Sequence, residues 1–565
     1  ISSFIANPRI SIDVTTMERR AFIKNLSLAT AAPIVLGGLP INLLASNGRL
    51  QAAAGTSENN KVLILIQMHG GNDGLNTIIP INQYNEYYNL RPNIAIPDAG
   101  ARKYITLDTT LAENMQTGLH PDMLGVKQLY DQGKVSIVQG VSYPFNNQSH
   151  FRSRDLWFMG ADGKANLFPG SGWAGRMLDS EYANYPASYP NTAMPDPLAL
   201  EIGTNVSLLY HRSNGIPVAI SISNPEQFYN LIQTVGNSAL PEALENTYYG
   251  TELKWIMEIE KKSDPYAAQL KAVFDKGSNS AVTYPSLYTL NAPSKFLKNN
   301  LAPQLKLVAR LLAGGIKTKV FVVRIGGFDT HANQVENYNS TYGNHAALLY
   351  HISSAMKAFQ DDLKELGQED RVMTATVSEF GRRPQSNGSY GSDHGSAAPM
   401  LLFGKYVKPG VIGTNPDLSN LSNGNLPMQN DYRSVLRTVL EDWLQASPEA
   451  VAATGFDKFA KLDVVSSSAT ATKFDFQSTR FAIGACTPNP ATTETSFSLK
   501  INDKSKVFVQ LYNTEGKLLS VVVDDEFEAG THQINVPLEN LSSGIYTLKI
   551  DAGIAKGVSK VNVIK

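Results

Sequence analysis

The chain has 565 residues, of which 42% are hydrophobic and 18% are charged. At roughly 150 residues per domain this length predicts about two to four domains, and the composition excludes a wholly disordered protein. Lys and Arg (49) balance Asp and Glu (50) to a net charge of −1, which excludes a strongly basic nucleic-acid or membrane-surface binder. The single cysteine, Cys486, excludes a disulfide within the chain.

The first informative segment is typical of an export signal. Residues 17–24 read MERRAFIK, an apolar run follows over 26–45, and small residues lie at 51–55. A basic start, an apolar middle and a small-residue end are the three parts of a signal peptide. The paired arginines resemble the twin-arginine signal, which implies export by the twin-arginine translocase. We therefore expect a leader over residues 1–55, with its true start at Met17 and no transmembrane span after its removal. A membrane anchor is the alternative, which the prolines and glycines of the run disfavour.

The region from 56 to 470 has the pattern of an α/β core. Four continuous apolar runs are typical of strands buried on both faces. They cover residues 62–66, 135–138, 319–325 and 372–377. A helical pattern between the third and fourth runs predicts a crossover connection, and therefore parallel strands.

Acids and histidines follow these strands. Because ligand sites form beyond the carboxyl ends of parallel strands, we expect these side chains to meet at one edge of the sheet. Carboxylate oxygens and imidazole nitrogens are ligands of zinc and similar cations, so the sequence predicts a metal site there. Read singly, each residue could equally be a turn or capping group. The candidates are Asp73, Ser149, His150, Asp329, His331, Glu379, Asp393 and His394.

The end of the chain changes character. Residues 471–495 are rich in Thr, Ala and Pro and predict a linker. Over residues 496–565, short alternating runs separated by turns predict a small antiparallel β-sandwich, for which a carbohydrate-binding or spacer module is one interpretation. The segments LYNTEGKLL and LSSGIYTLKI resemble the C-terminal sorting domain of Type IX secretion substrates. That resemblance implies the Type IX machinery as a partner, a source among the Bacteroidota, and a secreted or cell-surface location reached through the periplasm.

The core also resembles a known family. The motifs LILIQMHGGNDGLNTIIP, QSHFRSRDLW, GGFDTHANQ and SEFGRRPQSNGSYGSDHG, spread over about residues 61–462, look like those of DUF1501 proteins. That family is similar to the alkaline phosphatase and sulfatase superfamily, which implies a three-layer α/β/α fold and a hydrolase with one or two metal ions. The resemblance implies Ser149 as nucleophile, with Asp393 as a ligand or as the partner of one. It also implies that the metal ligands are Asp73, Asp329, His331, Glu379 and His394.

One departure from the superfamily concerns the ligands. Glu379-Phe380 stands where the superfamily commonly has Asp-His, so one histidine ligand is missing. His150 is a candidate to replace that ligand or to act as a base. Other histidines of the core are predicted to be structural, namely His69, His120, His345 and His351.

The expected function is hydrolysis of phosphate or sulfate esters on a small molecule or a glycan, outside the cell. Zinc is the expected ion, with calcium or magnesium as alternatives, and it would activate Ser149 or a water. Arg382 is expected to clamp the anion, with Arg152, Arg154 and Arg383 as further candidates. Two other classes stay open: a catalytically degenerate surface protein with a binding or structural role, and a carbohydrate-active enzyme, for which no acid/base pair is identifiable.

Overall fold

A computed structural model describes residues 35–36, 39–40, 59–164, 170–185, 188–203, 205–222, 266, 268–466, 481–484, 486–501, 504–513, 517–552 and 555–565. The twin-arginine segment and the small residues at 51–55 lie outside the described residues. The chain divides into two compact units, Ile1–Ala469 and Thr470–Lys565. Among the helices of the described part, none is both long and apolar enough to cross a membrane.

The first unit is built on sixteen described strands. They are β1 (Val35–Leu36), β2 (Leu39–Pro40), β3 (Val62–His69), β4 (Ile78–Pro80), β5 (Ile105–Thr106), β6 (Thr117–Leu119), β7 (Val135–Ser142), β8 (Ala199–Ile202), β9 (Ala219–Ile222), β10 (Val320–Gly326), β11 (Val372–Val377), β12 (Arg382–Ser386), β13 (Ser392–His394), β14 (Ala398–Phe403), β15 (Gly410–Ile412) and β16 (Asn430–Asp431).

Helices alternate with these strands. They are α1 (Gly74–Thr77), α2 (Tyr84–Leu90), α3 (Leu124–Asp131), α4 (His150–Met159), α5 (Trp173–Glu181), α6 (Ala302–Ala313), α7 (Asn344–Glu365), α8 (Tyr432–Thr438), which continues as a π-helical segment over Val439–Trp443, and α9 (Pro448–Thr454).

A nine-stranded sheet forms the centre of this unit. Its order is β15-β7-β14-β11-β3-β10-β8-β9, with β16 paired to β7. The four strands predicted from apolar runs are β3, β7, β10 and β11. β3 pairs in parallel with both β10 and β11, so the predicted parallel arrangement is confirmed. β14 runs antiparallel to its neighbours β7 and β11.

Apolar clusters cover both faces of this sheet. Leu63 and Leu65 of β3 belong to one cluster, and Ile64 and Ile66 to the other, because successive strand residues point to opposite faces. Residues of α4, α5, α8 and α9 complete the first cluster, and residues of α3, α6 and α7 complete the second. The predicted three-layer α/β/α core is therefore confirmed.

The second unit is an antiparallel β-sandwich. Its strands are β17 (Phe481–Ile483), β18 (Glu494–Ile501), β19 (Ser505–Tyr512), β20 (Leu518–Phe527), β21 (Gly530–Pro537), β22 (Gly544–Ala552) and β23 (Ala555–Val563). They form sheets of order β17-β18-β21 and β20-β19-β22-β23 around one core that includes Phe497, Val509 and Leu548.

The predicted linker needs a correction on its C-terminal side. β17 pairs with β18, and Cys486 (5% exposed) and Ala491 (1%) are buried in the core of the sandwich. These residues between 481 and 495 therefore pack as part of the second unit. Their Thr- and Pro-rich composition hid this, because the apolar residues there are too few to show strand periodicity.

Candidate metal centre

The sheet topology explains why distant segments meet. In the parallel register Gly326 lies opposite His69, and Val377 lies opposite Gln67, so β3, β10 and β11 end at one edge. β14 is antiparallel and therefore begins at this same edge. The segment that precedes it, which includes His394, is thereby brought to the carboxyl ends of the other strands.

Three side chains form the centre of the cluster at this edge. One ligand-type atom from each of His150, Asp329 and His394 lies within 4.8 Å of the other two. The Nε2 atom of His150 lies 3.4 Å from Oδ2 of Asp329, and Nε2 of His394 lies 3.3 Å from Oδ1 of Asp329. The carboxylate is thus approached by an imidazole nitrogen on each side.

The tautomer of His394 follows from its other contact. Its Nδ1 lies 2.8 Å from the backbone carbonyl of Gln148, which can only accept a hydrogen bond, so Nδ1 carries the proton. Burial, with Arg382 and His150 nearby, lowers the pKa of His394, which keeps the ring neutral. Its Nε2 therefore presents a lone pair to the carboxylate of Asp329.

His150 is oriented by Glu379. Nδ1 of His150 lies 2.9 Å from Oε1 of Glu379, whose side chain is 1% exposed and also accepts the backbone N–H of Gly70 at 2.7 Å. The hydrogen bond to Glu379 raises the pKa of His150 although burial opposes it. Nε2 of His150 and Oε2 of Glu379 are buried and have no hydrogen-bond partner among the described residues. This carboxylate–histidine pair is typical of the support that metal-binding imidazoles receive.

Arg382 fixes Asp329 and is not available to a substrate. Its guanidinium is fully buried and donates to Oδ1 of Asp329 at 2.6 Å. It also donates to the backbone carbonyls of Gly71, Ser392, Gly70 and Phe328. Burial would raise the pKa of Asp329, but Arg382, helped by His150 and His394, lowers it to about 2. The predicted anion clamp at Arg382 is therefore wrong, because its donors are already used inside the fold.

His331 and Asp393 form the outer part of the cluster. Nε2 of His331 lies 2.8 Å from Nε2 of His394 and 3.3 Å from Oδ1 of Asp329. Nδ1 of His331 lies 3.1 Å from Oδ1 of Asp393. Asp393 thus contacts the far side of the His331 ring, and this hydrogen bond lowers the pKa of Asp393. Both side chains are about half exposed, at 46% and 56%.

Asp73 does not join the cluster, and the expectation that it ligates the same ion is corrected. Its carboxylate is fully buried and accepts two hydrogen bonds from one nitrogen of Arg91, at 2.8 and 2.7 Å, and one from Gln334 at 2.6 Å. Burial would raise the pKa of Asp73, but Arg91 lowers it. Arg91 therefore occupies the position where a cation would neutralise this carboxylate.

Ser149 lies beside the cluster, at the start of α4. It is exposed and its side chain makes no capping hydrogen bond. Its neighbours in the chain are His150 and Gln148, whose backbone carbonyl accepts a hydrogen bond from His394.

The sequence analysis missed one further residue near the cluster. His69, predicted to be structural, is 48% exposed and its Nδ1 lies 3.7 Å from Oε1 of Glu379. Its position as the last residue of β3 is the signal that could have indicated this.

Fold and site together define an α/β protein with a candidate metal centre at the carboxyl edge of its sheet. Residues 254–439 match the model of the DUF1501 family, described as a protein of unknown function. Residues 486–565 match the secretion system C-terminal sorting domain. The chain therefore matches a DUF1501 model over about a third of its length and a sorting-domain model at its C-terminus, and the sorting domain of the Type IX system indicates secretion or attachment at the cell surface. A search of the curated proteins gives no match.

Solved structures of the alkaline phosphatase superfamily and of ester hydrolases are similar to this chain at low identity. A protein of that superfamily from Vibrio parahaemolyticus is 10% identical, with 83% of this chain and 84% of that chain covered and a TM-score of 0.31. The phosphonate monoester hydrolase SpPMH from Silicibacter pomeroyi is 10% identical, with 89% and 88% covered and a TM-score of 0.30. The sulfatase PsFucS1 from Pseudoalteromonas sp. is 11% identical, with 85% and 84% covered and a TM-score of 0.28.

Proposed function

We propose that the protein is an exported, metal-dependent hydrolase of phosphate or sulfate esters that acts at the cell surface or beyond. The observation that carries the proposal is the convergence of His150, Asp329 and His394 within 4.8 Å. Two imidazole nitrogens face one carboxylate, and Nδ1 of each imidazole is held by a separate acceptor, Glu379 or the Gln148 carbonyl. A divalent cation satisfies all three.

The residues present fit such a cation. Nε2 of His150 and Oε2 of Glu379 are buried polar atoms without a hydrogen-bond partner among the described residues. Buried polar atoms are normally paired, so these two support a bound group at this place. Two nitrogens and one oxygen form a ligand set typical of zinc, whereas calcium and magnesium prefer oxygen alone. His331 is the candidate fourth ligand, and Glu379 supports His150 from behind.

The chemistry follows from the residues around the cluster. A divalent ion held there would supply a Lewis acid that polarises the ester and lowers the pKa of a nucleophile. Ser149 is exposed beside His150 and is the proposed nucleophile, with a water as the alternative. Arg383 and Arg152 are exposed and remain as candidates to hold the anionic group, because Arg382 is buried. His69 lies at the same edge of the sheet, where it could donate a hydrogen bond to the ester oxygen.

Metal analysis of the purified full chain tests the proposal. We expect about one zinc per chain, and hydrolysis of 4-nitrophenyl phosphate or 4-nitrophenyl sulfate that EDTA abolishes and zinc restores. His150→Ala and His394→Ala should each weaken zinc binding more than about tenfold, since a direct ligand matters at least as much as its outer partner. His532→Ala, at a partly exposed histidine of the second unit, is the matched control. A metal-free protein whose properties are the same in all three variants would refute the proposal.

A second candidate function is supported by one specific observation. Arg91 neutralises Asp73, so a carboxylate expected to ligate a metal is used inside the fold. A surface protein that binds a partner without turnover would tolerate such a loss. Zinc binding without hydrolysis of either ester would favour this candidate.

We also propose the route of export and the domain limits. A twin-arginine leader over residues 1–55 would deliver a core of residues 56–470, folded around its metal, to the periplasm. The sorting domain would then direct it across the outer membrane. Replacing Arg19 and Arg20 by Lys should retain the protein in the cytoplasm, and export of that variant would contradict the twin-arginine route.

A further inference from the structure

The loops around the metal cluster hold aromatic side chains in an unusual backbone conformation. Phe145 and Tyr390 have φ angles of 56° and 55°, in the left-handed region that side chains rarely adopt. Asn333 and Asn423 share this conformation, with φ of 53° and 51°. Such residues persist where the surrounding structure requires them, and they concentrate at functional sites.

Both aromatic residues belong to segments that build the cluster. Phe145 lies in the loop that leads to His150. Tyr390 lies in the turn before His394, and in that turn Asn387 donates to the backbone carbonyl of His331 at 2.8 Å. The turn is packed closely, since a Cβ added at Gly391 would lie 2.3 Å from that same carbonyl. Phe145 and Tyr390 therefore present their rings from segments that contribute to the candidate metal centre.

These rings face solvent. Phe145 is 58% exposed, Tyr390 is 36% exposed, and Phe151, which directly follows His150 in α4, is 72% exposed. The ammonium group of Lys164 lies 3.6 Å from the centre of the Phe145 ring. Three exposed aromatic rings on site-forming segments are more than scattered surface hydrophobics, because two of them are held there against the backbone preference.

Amide side chains accompany the rings. Gln148 donates to Asn425 at 3.2 Å, and Asn93 donates to the backbone of Asn387 at 2.9 Å. Gln148 lies between Phe145 and Phe151 in the chain, and Asn387 lies in the turn of Tyr390; both amide side chains are partly exposed.

We infer that Phe145, Phe151 and Tyr390 form a carbohydrate-binding rim around the candidate metal centre, so that the ester is carried on a sugar of an oligosaccharide. The C–H faces of a sugar ring pack on exposed aromatic rings, and its hydroxyl groups pair with neutral amides. The position of the ester rests on the proposed hydrolase function, whereas binding of the sugar does not.

The test measures binding without turnover. The full-length protein is applied to an array of neutral hexasaccharides of glucose, galactose, mannose and N-acetylglucosamine, and to their sulfated and phosphorylated forms. Dissociation constants and melting temperatures are then compared for Phe145→Gly, Tyr390→Gly and Phe151→Ala. Leu124→Ala, at a 56% exposed position of α3, is the control.

We expect at least one oligosaccharide to bind and each of the three variants to weaken it tenfold or more, with Leu124→Ala unchanged. Glycine removes the backbone strain, so Phe145→Gly and Tyr390→Gly should melt at the same or a higher temperature than the parent protein. If these rings serve folding instead, both variants melt lower and the inference is overturned. Phe151→Ala, at an exposed helix position, keeps the test valid if a loop variant fails to fold.

The outcomes separate this inference from the proposed function. Oligosaccharide binding that depends on the rim, without hydrolysis of any ester, supports the rim and refutes the hydrolase. Hydrolysis of 4-nitrophenyl esters without binding of any oligosaccharide supports the hydrolase and overturns the rim. Binding that all three rim variants leave unchanged also overturns it.

Discussion

Glu379→Gln is the most direct perturbation of the candidate metal centre. The carboxylate lies behind His150, with Oε1 at 2.9 Å from Nδ1, and is 1% exposed. Glutamine keeps an acceptor oxygen for His150 and for the Gly70 N–H, but it removes the negative charge. His150 then donates to a neutral amide, its Nε2 becomes a weaker electron donor, and its pKa falls toward the ordinary 6.5.

The size of the effect follows from this contact. A hydrogen bond to a charged group contributes about 1.5–3 kcal/mol, and the outer partner of a metal-binding histidine is worth about 10–100-fold in metal affinity. At about 1.4 kcal/mol per tenfold, these two figures agree. We therefore expect the zinc dissociation constant, measured by competition with a chromogenic chelator at pH 7.5, to rise about 10–100-fold.

A surface glutamate provides the matched control. Glu369 pairs with Lys134 at 3.0 Å and with Lys405 at 3.3 Å, so Glu369→Gln removes the same charge away from the cluster. Zinc affinity should not change in this control. If Glu379→Gln binds zinc as tightly as the parent protein, while circular dichroism shows that both are folded, then His150 is not a ligand supported by Glu379 and the reasoning fails.

Three further predictions concern the support of the site. Gly70→Ala should abolish zinc binding and lower the melting temperature, because its Cβ would lie 2.2 Å from the backbone nitrogen of Asp329. A normal metal content in this variant would show that the loops of Gly70 and Asp329 can separate, and would contradict the prediction. Arg91→Met should lower the free energy of unfolding, measured in urea, by about 3–5 kcal/mol, since it leaves Asp73 as a buried unpaired charge. Adding Asp73→Asn should recover part of this loss. Equal free energies of unfolding for the single and the double variant would contradict the prediction. Burial lowers the pKa of His345 from 6.5 to about 4, so an unfolded chain binds a proton in this window that the folded chain does not. Stability should therefore fall as the pH drops from 6.5 to 4, by up to about 1.4 kcal/mol per pH unit, and His345→Gln should flatten this slope in urea titrations.

Much of the core could be predicted from the sequence because its strands are buried on both faces. The apolar runs at residues 62–66 and 319–325 are short and rich in Val and Ile, which favours buried strands over helices. The rule on strand carboxyl ends then places the following acids and histidines together. The antiparallel β14 was not predicted. It nevertheless brings His394 to the same edge, because its amino end lies where the other strands finish.

The roles of the charged residues could not be predicted in the same way. Asp73 and Asp329 both follow a buried strand, and each forms an ion pair with an arginine. The difference lies in exposure: Asp73 and Arg91 are both fully buried and satisfy each other, whereas Asp329 is 49% exposed and keeps Oδ2 toward His150. Spacing along the chain carries no information on which arginine reaches which acid, because Arg91 lies 18 residues from Asp73 and Arg382 lies 53 residues from Asp329.

The pair of His150 and Glu379 joins two distant segments in the proposed metal centre. The end of β11 carries Glu379 and Phe380, and therefore one long carboxylate and no imidazole. The Glu379 side chain turns inward, where the Gly70 N–H and Nδ1 of His150 hold it, and His150 on α4 is the imidazole proposed as a ligand there. The ring of Phe380 packs against both His150 and His394, with centroids 4.9 and 4.6 Å away, and thereby restricts both rings. The two residues are thus coupled: His150→Ala would remove the proposed ligand and would also leave Glu379 as a buried carboxylate without its hydrogen-bond donor.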